Sequence, residues 1–216
     1  MRILLYCPLS PRHPRLHFRT MASIMSLKWD HRMEILMGWE DMQHTPDKER
    51  AYQNVTAKYN HARAVALAGN YDALFTVESD VIIPSMALQR MTNVECGVVY
   101  GLYCSRKGRH HWLLYTKPGS YSVKPMSHDK AWCKEVWGQV VESIGAGMGC
   151  TLIHRHVLKE IPFRCPDPEV ANDWYFALDC QEKGYKQMHD TGVVCGHIDG
   201  DVTYWPDPDR IVWVEG

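Results

Sequence analysis

Short apolar runs alternate with longer stretches of helical periodicity along almost the whole chain. The apolar runs have the length of buried strands and occupy residues 3–7, 33–37, 73–77, 96–103, 140–144, 151–153 and 193–194. Helical spacing or helix-start signals mark residues 20–28, 45–68, 84–91 and 172–183. Strands that alternate with helices in this order predict an α/β fold, in which a mixed, mainly parallel central sheet is flanked by helices.

An acidic triplet, Glu78-Ser79-Asp80, directly follows the apolar run at residues 73–77. Ligands of open α/β sheets bind beyond the carboxyl ends of the strands, and the triplet is predicted to lie there. Two carboxylates in this position are costly unless a cation or hydrogen bonds compensate them. Mg²⁺ and Mn²⁺ prefer such oxygen ligands. The triplet therefore indicates a metal site; the alternative is an ordinary turn or helix cap.

Length and composition favour one domain. The chain has 216 residues, of which 45% are hydrophobic, and it contains no low-complexity or linker-like tract. This is enough apolar material for a single core. We expect one domain over residues 1–216.

Membrane and export signals are not apparent in the sequence. The apolar run near the N-terminus is too short for the core of a signal peptide, and no run approaches the roughly 20 residues that span a bilayer. The eight cysteines include no CxxC pair, so we expect buried free thiols rather than a disulfide framework or a zinc site. These observations predict a cytoplasmic protein without a transmembrane segment, located in the host cytoplasm if its source is a virus.

Further segments stand in an order that is typical of one enzyme family. A helical stretch with Arg63 precedes the acidic triplet, and a glycine-rich segment at residues 145–155, then Asp173 and finally His197 follow it. In these segments the chain resembles the inverting, family-2-like nucleotide-sugar glycosyltransferases of the GT-A fold. The resemblance extends over residues 55–200, and it implies a Rossmann-like GT-A sandwich with a hexosyltransferase-type activity. It also implies a nucleotide- or donor-binding half at approximately residues 1–100 and an acceptor and catalytic half at residues 101–216.

The resemblance implies a role for each matching residue. Asp80 would bind a divalent cation, Mn²⁺ or Mg²⁺, and Glu78 would contact the nucleotide ribose or a metal-bound water. His197 would be a distant third metal ligand, and an imidazole suits Mn²⁺ better than Mg²⁺. Arg63 would face the nucleotide or its diphosphate, where a forked, permanent cation is useful. Asp173 would take the proton from the acceptor hydroxyl.

The donor site is expected to include three smaller residues as well. These are Pro8, Ser79 and Gly147, and glycine in particular lets the backbone approach a sugar closely. The donor implied by the resemblance is a nucleotide-sugar, with UDP- and GDP-sugars as the expected classes.

The sequence departs from the family pattern at two positions, and several of the predicted site residues have a structural alternative. The first acid of the motif is Glu78 where the family usually has Asp, and the residue before Asp173 is Asn172 where Glu is common. His197 could be a structural histidine, Asp173 a helix cap and Arg63 an ion-pair partner. The glycines could serve only a tight turn.

Charge is divided unevenly along the chain. Residues 165–216 hold 11 acidic and 3 basic side chains, whereas residues 1–164 hold 14 acidic and 21 basic ones. A basic run with aromatic neighbours, which contains Arg106, Lys107, Arg109 and Trp112, could follow phosphates of nucleic acid. We therefore consider hydroxymethylated pyrimidines in DNA as acceptors; the alternatives are a cell-envelope saccharide or a lipid-linked sugar.

Two other function classes remain. A sugar nucleotidyltransferase has a similar sheet, but the loop after the first strand, Cys7-Pro8-Leu9, lacks the glycine-rich phosphate loop expected of that class. A non-catalytic nucleotide- or carbohydrate-binding module would suit the eight tryptophans, yet it would not require the acidic triplet, Asp173 and His197 together. The oligomeric state cannot be read from the sequence.

Overall fold

A computed structural model of the chain describes residues 1–9, 18–30, 32–38, 51–106, 111–115, 129–167 and 170–216. The helices are α1 (Phe18–Met25), α2 (Ala51–Ala68), α3 (Ala87–Thr92), α4 (Lys130–Val136), α5 (Arg155–Glu160) and α6 (Asn172–Glu182). The strands are β1 (Ile3–Pro8), β2 (Met33–Gly38), β3 (Ala73–Val77), β4 (Val81–Ile82), β5 (Val98–Leu102), β6 (Val140–Glu142), β7 (Cys150–His154), β8 (Gln187–Val194), β9 (Gly196–Asp199), β10 (Val202–Asp207) and β11 (Ile211–Glu215).

A central sheet holds seven of the strands in the order β2-β1-β3-β7-β5-β8-β6. Strands β2, β1, β3, β5 and β8 run in one direction, and β7 and β6 run in the other. The carboxyl ends of β1, β3 and β5 therefore meet at the same edge of the sheet. The expected mixed, mainly parallel sheet is confirmed, and the reversed β7 lies between β3 and β5.

Helices cover both faces of this sheet. Successive side chains of a strand point to opposite faces, so Leu4 and Leu74 join the core cluster that also contains residues of α2, α5 and α6. Their neighbours Leu5 and Phe75 join the cluster beneath α1 and α3. All five residues of β3 are buried. Burial on both faces is the reason why the central strands read as continuous apolar runs rather than as alternating ones.

A second, antiparallel sheet has the order β11-β10-β9-β4. It begins at β4, which follows β3 after a short turn, and it is completed by the last three strands of the chain. In β9, His197 stands opposite Val81 of β4. The two sheets therefore meet where β3 ends.

Most predicted elements are present, with boundaries shifted by a few residues. The predicted helix at residues 20–28 is α1, and the predicted helix at residues 172–183 is α6. Helix α2 ends before Gly69-Asn70, and Asn70 adopts a left-handed conformation with φ 55° that ends the helix. The expected start of that helix at residues 45–47 lies outside the described residues.

Some elements carry no signal among those taken from the sequence. No helical stretch was marked between residues 91 and 172, but α4 begins at Lys130, where the Asp129 carboxylate accepts a hydrogen bond from the Ala131 N–H at 2.8 Å. The last apolar run was marked at residues 193–194, but three more strands follow β8. The polar and glycine- or proline-containing sequences of β9 and β10 hide their strand character, because tertiary pairing overrides local propensity.

The prediction of free thiols is confirmed, since all eight cysteines are free and six of them are buried. Among the helices that the structure describes, none combines the length and the apolar character that crossing a bilayer requires.

Candidate metal and catalytic site

The acidic triplet lies in the turn that joins the two sheets. The N–H of Val81 donates to the Glu78 carbonyl at 3.1 Å, which closes the turn. The N–H of Ile198 donates to the Asp80 carbonyl at 2.8 Å and holds β9 against the turn. This backbone pairing brings Asp80 beside His197, although the two residues are far apart in the sequence.

Glu78, Asp80 and His197 form a cluster in which one ligand atom of each side chain lies within 4.8 Å of the others. His197 Nε2 is 3.9 Å from Asp80 Oδ1. Two carboxylates and an imidazole are a donor set that Mn²⁺ accepts well, and Mg²⁺ accepts the carboxylates. The cluster therefore has the composition of a divalent-cation site.

The imidazole of His197 is oriented for metal binding. Its Nδ1 is 2.7 Å from the Cys104 carbonyl, and since a carbonyl can only accept, Nδ1 carries the proton. Nε2 is buried and has no hydrogen-bond partner among the described residues. Burial lowers the pKa of His197, which favours the neutral ring. A neutral imidazole with a free Nε2 lone pair facing carboxylates is the arrangement in which histidine binds metals.

Glu78 is held in a setting that disfavours its charge. The side chain is half-buried, and the Tyr59 hydroxyl donates to Glu78 Oε1 at 3.4 Å. Burial raises the pKa of Glu78 well above its usual range, and the nearby charges of Asp80 and Asp173 raise it further. An added cation would lower the pKa again, so the site as it stands is short of positive charge.

Arg106 supplies one positive charge to the cluster. Its guanidinium forms an ion pair with Asp80 and also donates to the Ile198 carbonyl at 3.3 Å. The sequence predicted Arg106 as an acceptor contact, whereas in the structure its guanidinium lies on the predicted metal ligand.

Asp173 lies at the start of α6. Its Oδ1 accepts a hydrogen bond from the Trp174 N–H at 2.7 Å, and the N-cap of the helix is Ala171 rather than Asp173. Burial raises the pKa of Asp173 to about 6. A carboxylate with a pKa near neutrality is suited to accept a proton in a reaction. The same carboxylate also satisfies a backbone N–H in the first turn of α6, so the structural alternative of a helix-capping side chain stays open.

Gly147 and Tyr103 connect Asp173 with the cluster. A Cβ atom at Gly147 would lie 2.0 Å from the Tyr103 hydroxyl and 3.4 Å from Asp173 Oδ2. The ring of Tyr103 meets the ring of His197 edge-on, with 5.4 Å between the centroids. Tyr103 therefore packs against His197 and lies close to Gly147, and the open position at Gly147 faces Asp173.

The remaining predicted donor residues lie at different distances from this centre. Pro8 ends β1, which pairs in parallel with β3 with Tyr6 opposite Thr76, so this strand end lies beside the start of the acidic triplet. Burial, followed by the charges of Glu78 and Asp80, raises the pKa of the preceding Cys7 to about 12. Ser79 is half-buried in the turn. Arg63 donates from Nε to the Leu158 carbonyl at 2.5 Å, at the end of α5, and its predicted donor contact stays a prediction.

The predicted acceptor residues are not gathered on one described surface. Trp112 is fully buried, and its Nε1 donates to the Ile211 carbonyl at 2.6 Å. In this position the indole offers no free face to a ligand. Lys107 and Arg109 lie outside the described residues, and their roles stay predictions.

The sequence interpretation missed three groups at the site, namely the hydroxyls of Tyr59 and Tyr103 and the carbonyl of Cys104. Tyr103 and Cys104 directly follow β5, whose carboxyl end shares the sheet edge with β3. That position was a usable signal for both residues. Tyr59 lies within α2, and its sequence context carries no comparable signal.

Comparison with known proteins shows the fold. The chain is similar to the crystal structure of A197 from STIV, with a TM-score of 0.63 and 19% sequence identity, and the match covers 100% of this chain and 95% of that chain. The chain has a GT-A-like fold. A second, weaker similarity, to residues 1–349 of TarS from S. aureus, has a TM-score of 0.46 at 13% identity over 88% of this chain and 58% of that chain. No protein-family model and no curated protein sequence matches the chain.

Proposed function

We propose that the protein is a metal-dependent glycosyltransferase, which moves a sugar from a nucleotide-sugar to an acceptor hydroxyl with inversion of configuration. The observation that carries the proposal is the grouping of Glu78, Asp80 and His197 at the carboxyl end of β3. Asp173, a carboxylate suited to accept a proton, adjoins that cluster through Gly147 and Tyr103. A binding module would need neither the cluster nor a carboxylate with a raised pKa.

Each residue has a role in this proposal. Asp80 and His197 hold a divalent cation, with Glu78 beside them, and a cation bound there would neutralise the negative charge that grows on the departing diphosphate. Asp173 accepts the proton of the acceptor hydroxyl, which then attacks the anomeric carbon of the sugar from the side opposite to the diphosphate. Pro8, Ser79 and Gly147 line the donor site.

The acceptor is a separate part of the proposal. We retain hydroxymethylated pyrimidines in DNA as the candidate, because basic residues outnumber acidic ones in the first 164 residues. Cell-envelope saccharides and lipid-linked sugars are the alternatives. Transfer of label from the donor to hydroxymethylated DNA, compared with the same DNA lacking the hydroxyl groups, distinguishes these acceptor classes.

The Asp80→Asn variant tests the proposal without knowledge of the acceptor. Many nucleotide-sugar transferases hydrolyse their donor slowly in water, so release of nucleoside diphosphate from UDP- and GDP-sugars can be followed with Mn²⁺ and with a chelator. We expect Mn²⁺-dependent release by the native protein and a loss of about a hundredfold or more in Asp80→Asn, because the substitution removes a charged ligand from the cation. The exposed Asp201→Asn serves as the control. Undiminished, Mn²⁺-dependent release by Asp80→Asn would refute the proposed role of the cluster.

A further inference from the structure

Arg106 lies beside the place where a metal ion would bind. Its guanidinium is paired with Oδ2 of Asp80, whereas Oδ1 of the same carboxylate is 3.9 Å from His197 Nε2. The guanidinium also donates to the carbonyl of Ile198, the residue after His197. The side chains of Arg106 and Asp80 retain 36% and 28% of their exposure, so the pair stands at the mouth of the cluster rather than inside the core. The same short segment provides the Cys104 carbonyl that orients His197.

A divalent cation held between Asp80 Oδ1 and His197 Nε2 would lie close to the guanidinium that is paired with Asp80 Oδ2. Two positive charges at such short range repel each other, so the guanidinium lowers the affinity of the free protein for the cation. The forked guanidinium is a permanent cation, and the repulsion is relieved only when it turns to another partner.

A released guanidinium would remain next to the bound cation. In the proposed function the donor brings a diphosphate to that cation, and phosphate oxygens are the groups that the arginine fork pairs with best. The side chain is partly exposed, which leaves it room to turn from one partner to the other.

We propose that Arg106 exchanges partners during donor binding: it is the counter-ion of Asp80 in the free protein and a ligand of the donor diphosphate once the cation is bound. This inference rests on the proposed function. It assigns Arg106 to the donor rather than to the acceptor. It also requires that substitution of Arg106 raises the affinity for Mn²⁺ and lowers the affinity for the nucleoside diphosphate.

The first measurement is Mn²⁺ affinity without nucleotide, by calorimetry or by the electron paramagnetic resonance signal of free Mn²⁺. We expect Arg106→Gln to bind Mn²⁺ about tenfold more tightly than the native protein, because the positive guanidinium beside the metal site is gone.

The second measurement is the affinity for a nucleoside diphosphate at saturating Mn²⁺, using whichever of UDP, GDP, CDP and TDP binds the native protein best. We expect Arg106→Gln to bind it roughly tenfold more weakly, because charge-assisted hydrogen bonds to phosphate are lost.

Two further variants make the outcome decisive. Arg106→Met keeps the aliphatic stem and has to reproduce both shifts if Arg106→Gln folds poorly. Arg164→Gln breaks another partly exposed arginine–carboxylate pair, with Asp179, and it has to leave both affinities unchanged. An unchanged Mn²⁺ affinity, or an unchanged diphosphate affinity, in Arg106→Gln and Arg106→Met overturns the partner exchange. Failure of the native protein itself to bind Mn²⁺ would instead overturn the proposed function.

Discussion

Two carboxyl groups at the site hold their protons more tightly than free side chains do. Burial is the first cause for both Glu78 and Asp173, and it raises the pKa of Asp173 to about 6. A charged carboxylate in such a position costs stability at neutral pH, because desolvation disfavours the ionised form. The loss of stability therefore occurs at Asp173, the residue that the proposed chemistry needs as a proton acceptor.

Asp173→Asn should separate stability from activity. The carboxyl has a higher pKa in the folded protein, about 6, than the ordinary value of 3.8, so its ionisation destabilises the fold increasingly as pH rises from about 4 and fully above about 6. Removing the charge should therefore stabilise the protein at pH 7.5 by about 1–3 kcal/mol, with a smaller gain at pH 5. Urea unfolding at both pH values measures this difference.

The same substitution should lower kcat by roughly a hundredfold or more, since a positioned general base contributes that much to proton transfer. For the native protein, activity should fall as pH drops through about 6, where Asp173 becomes protonated. Native-like kcat in Asp173→Asn, or activity that is flat between pH 5 and 7, would remove Asp173 from the base role.

At the scale of elements, the glycine-rich segment before β7 passes through a narrow gap. Gly145 has φ 147°, and a Cβ atom there would lie 2.3 Å from the Ala177 side chain in α6. Gly147 and Gly149 face Tyr103, whose hydroxyl accepts a hydrogen bond from the Gly149 N–H at 3.0 Å. A side chain at any of these three positions would collide with α6 or with Tyr103. The glycines therefore allow the segment to lead into β7, which lies between β3 and β5.

Gly147→Ala should destabilise the protein by about 1–3 kcal/mol, because the new methyl group overlaps the Tyr103 hydroxyl. In a Tyr103→Phe background the nearest remaining atom of the ring is 3.2 Å from the Cβ position, so the cost of Gly147→Ala should become smaller. Equilibrium unfolding of the native protein, both single variants and the double variant gives the coupling directly. Strictly additive effects would mean that the two side chains do not compete for this space.

At the scale of the whole molecule, the candidate metal site joins the two sheets. Asp80 follows β3 of the central sheet, and His197 belongs to β9 of the antiparallel sheet. A cation held by both residues would bind the folded chain and not the unfolded one, because the unfolded chain does not keep the two ligands together. Metal binding is therefore expected to add to global stability.

Mn²⁺ should raise the thermal unfolding temperature of the native protein by about 5–10 °C at a hundred times its Kd, from a stabilisation of about 2.7 kcal/mol. Ca²⁺, which favours oxygen ligands, should give a smaller rise at the same concentration. Differential scanning calorimetry of the native protein and His197→Gln measures the effect. Equal rises in both proteins would show that Mn²⁺ acts at another place.

Local sequence was sufficient to predict the fold class and the position of the acidic triplet. The apolar run of β3 is continuous because both of its faces are buried, and its end marks a sheet edge whatever the neighbouring strands are. The same reasoning could not recover β9 and β10, whose polar and turn-forming residues become strands through pairing with β4 and with their neighbours. It overlooked β11, although Ile211–Glu215 is an apolar run of strand-forming residues. It also missed α4, which is short and is capped by Asp129.

The sequence by itself determined that strands alternate with helices over most of the chain, and it determined the chemical types available to a site: carboxylates after β3, a carboxylate at the start of α6 and a late histidine. Only the tertiary structure decided that Asp80 and His197 lie 3.9 Å apart, that the Cys104 carbonyl orients the imidazole, and that Arg106 rests on Asp80. Hydrophobic periodicity is a local property that a short window of sequence records. Contacts between distant residues depend on strand pairing and register, which the chain acquires only when the two sheets assemble.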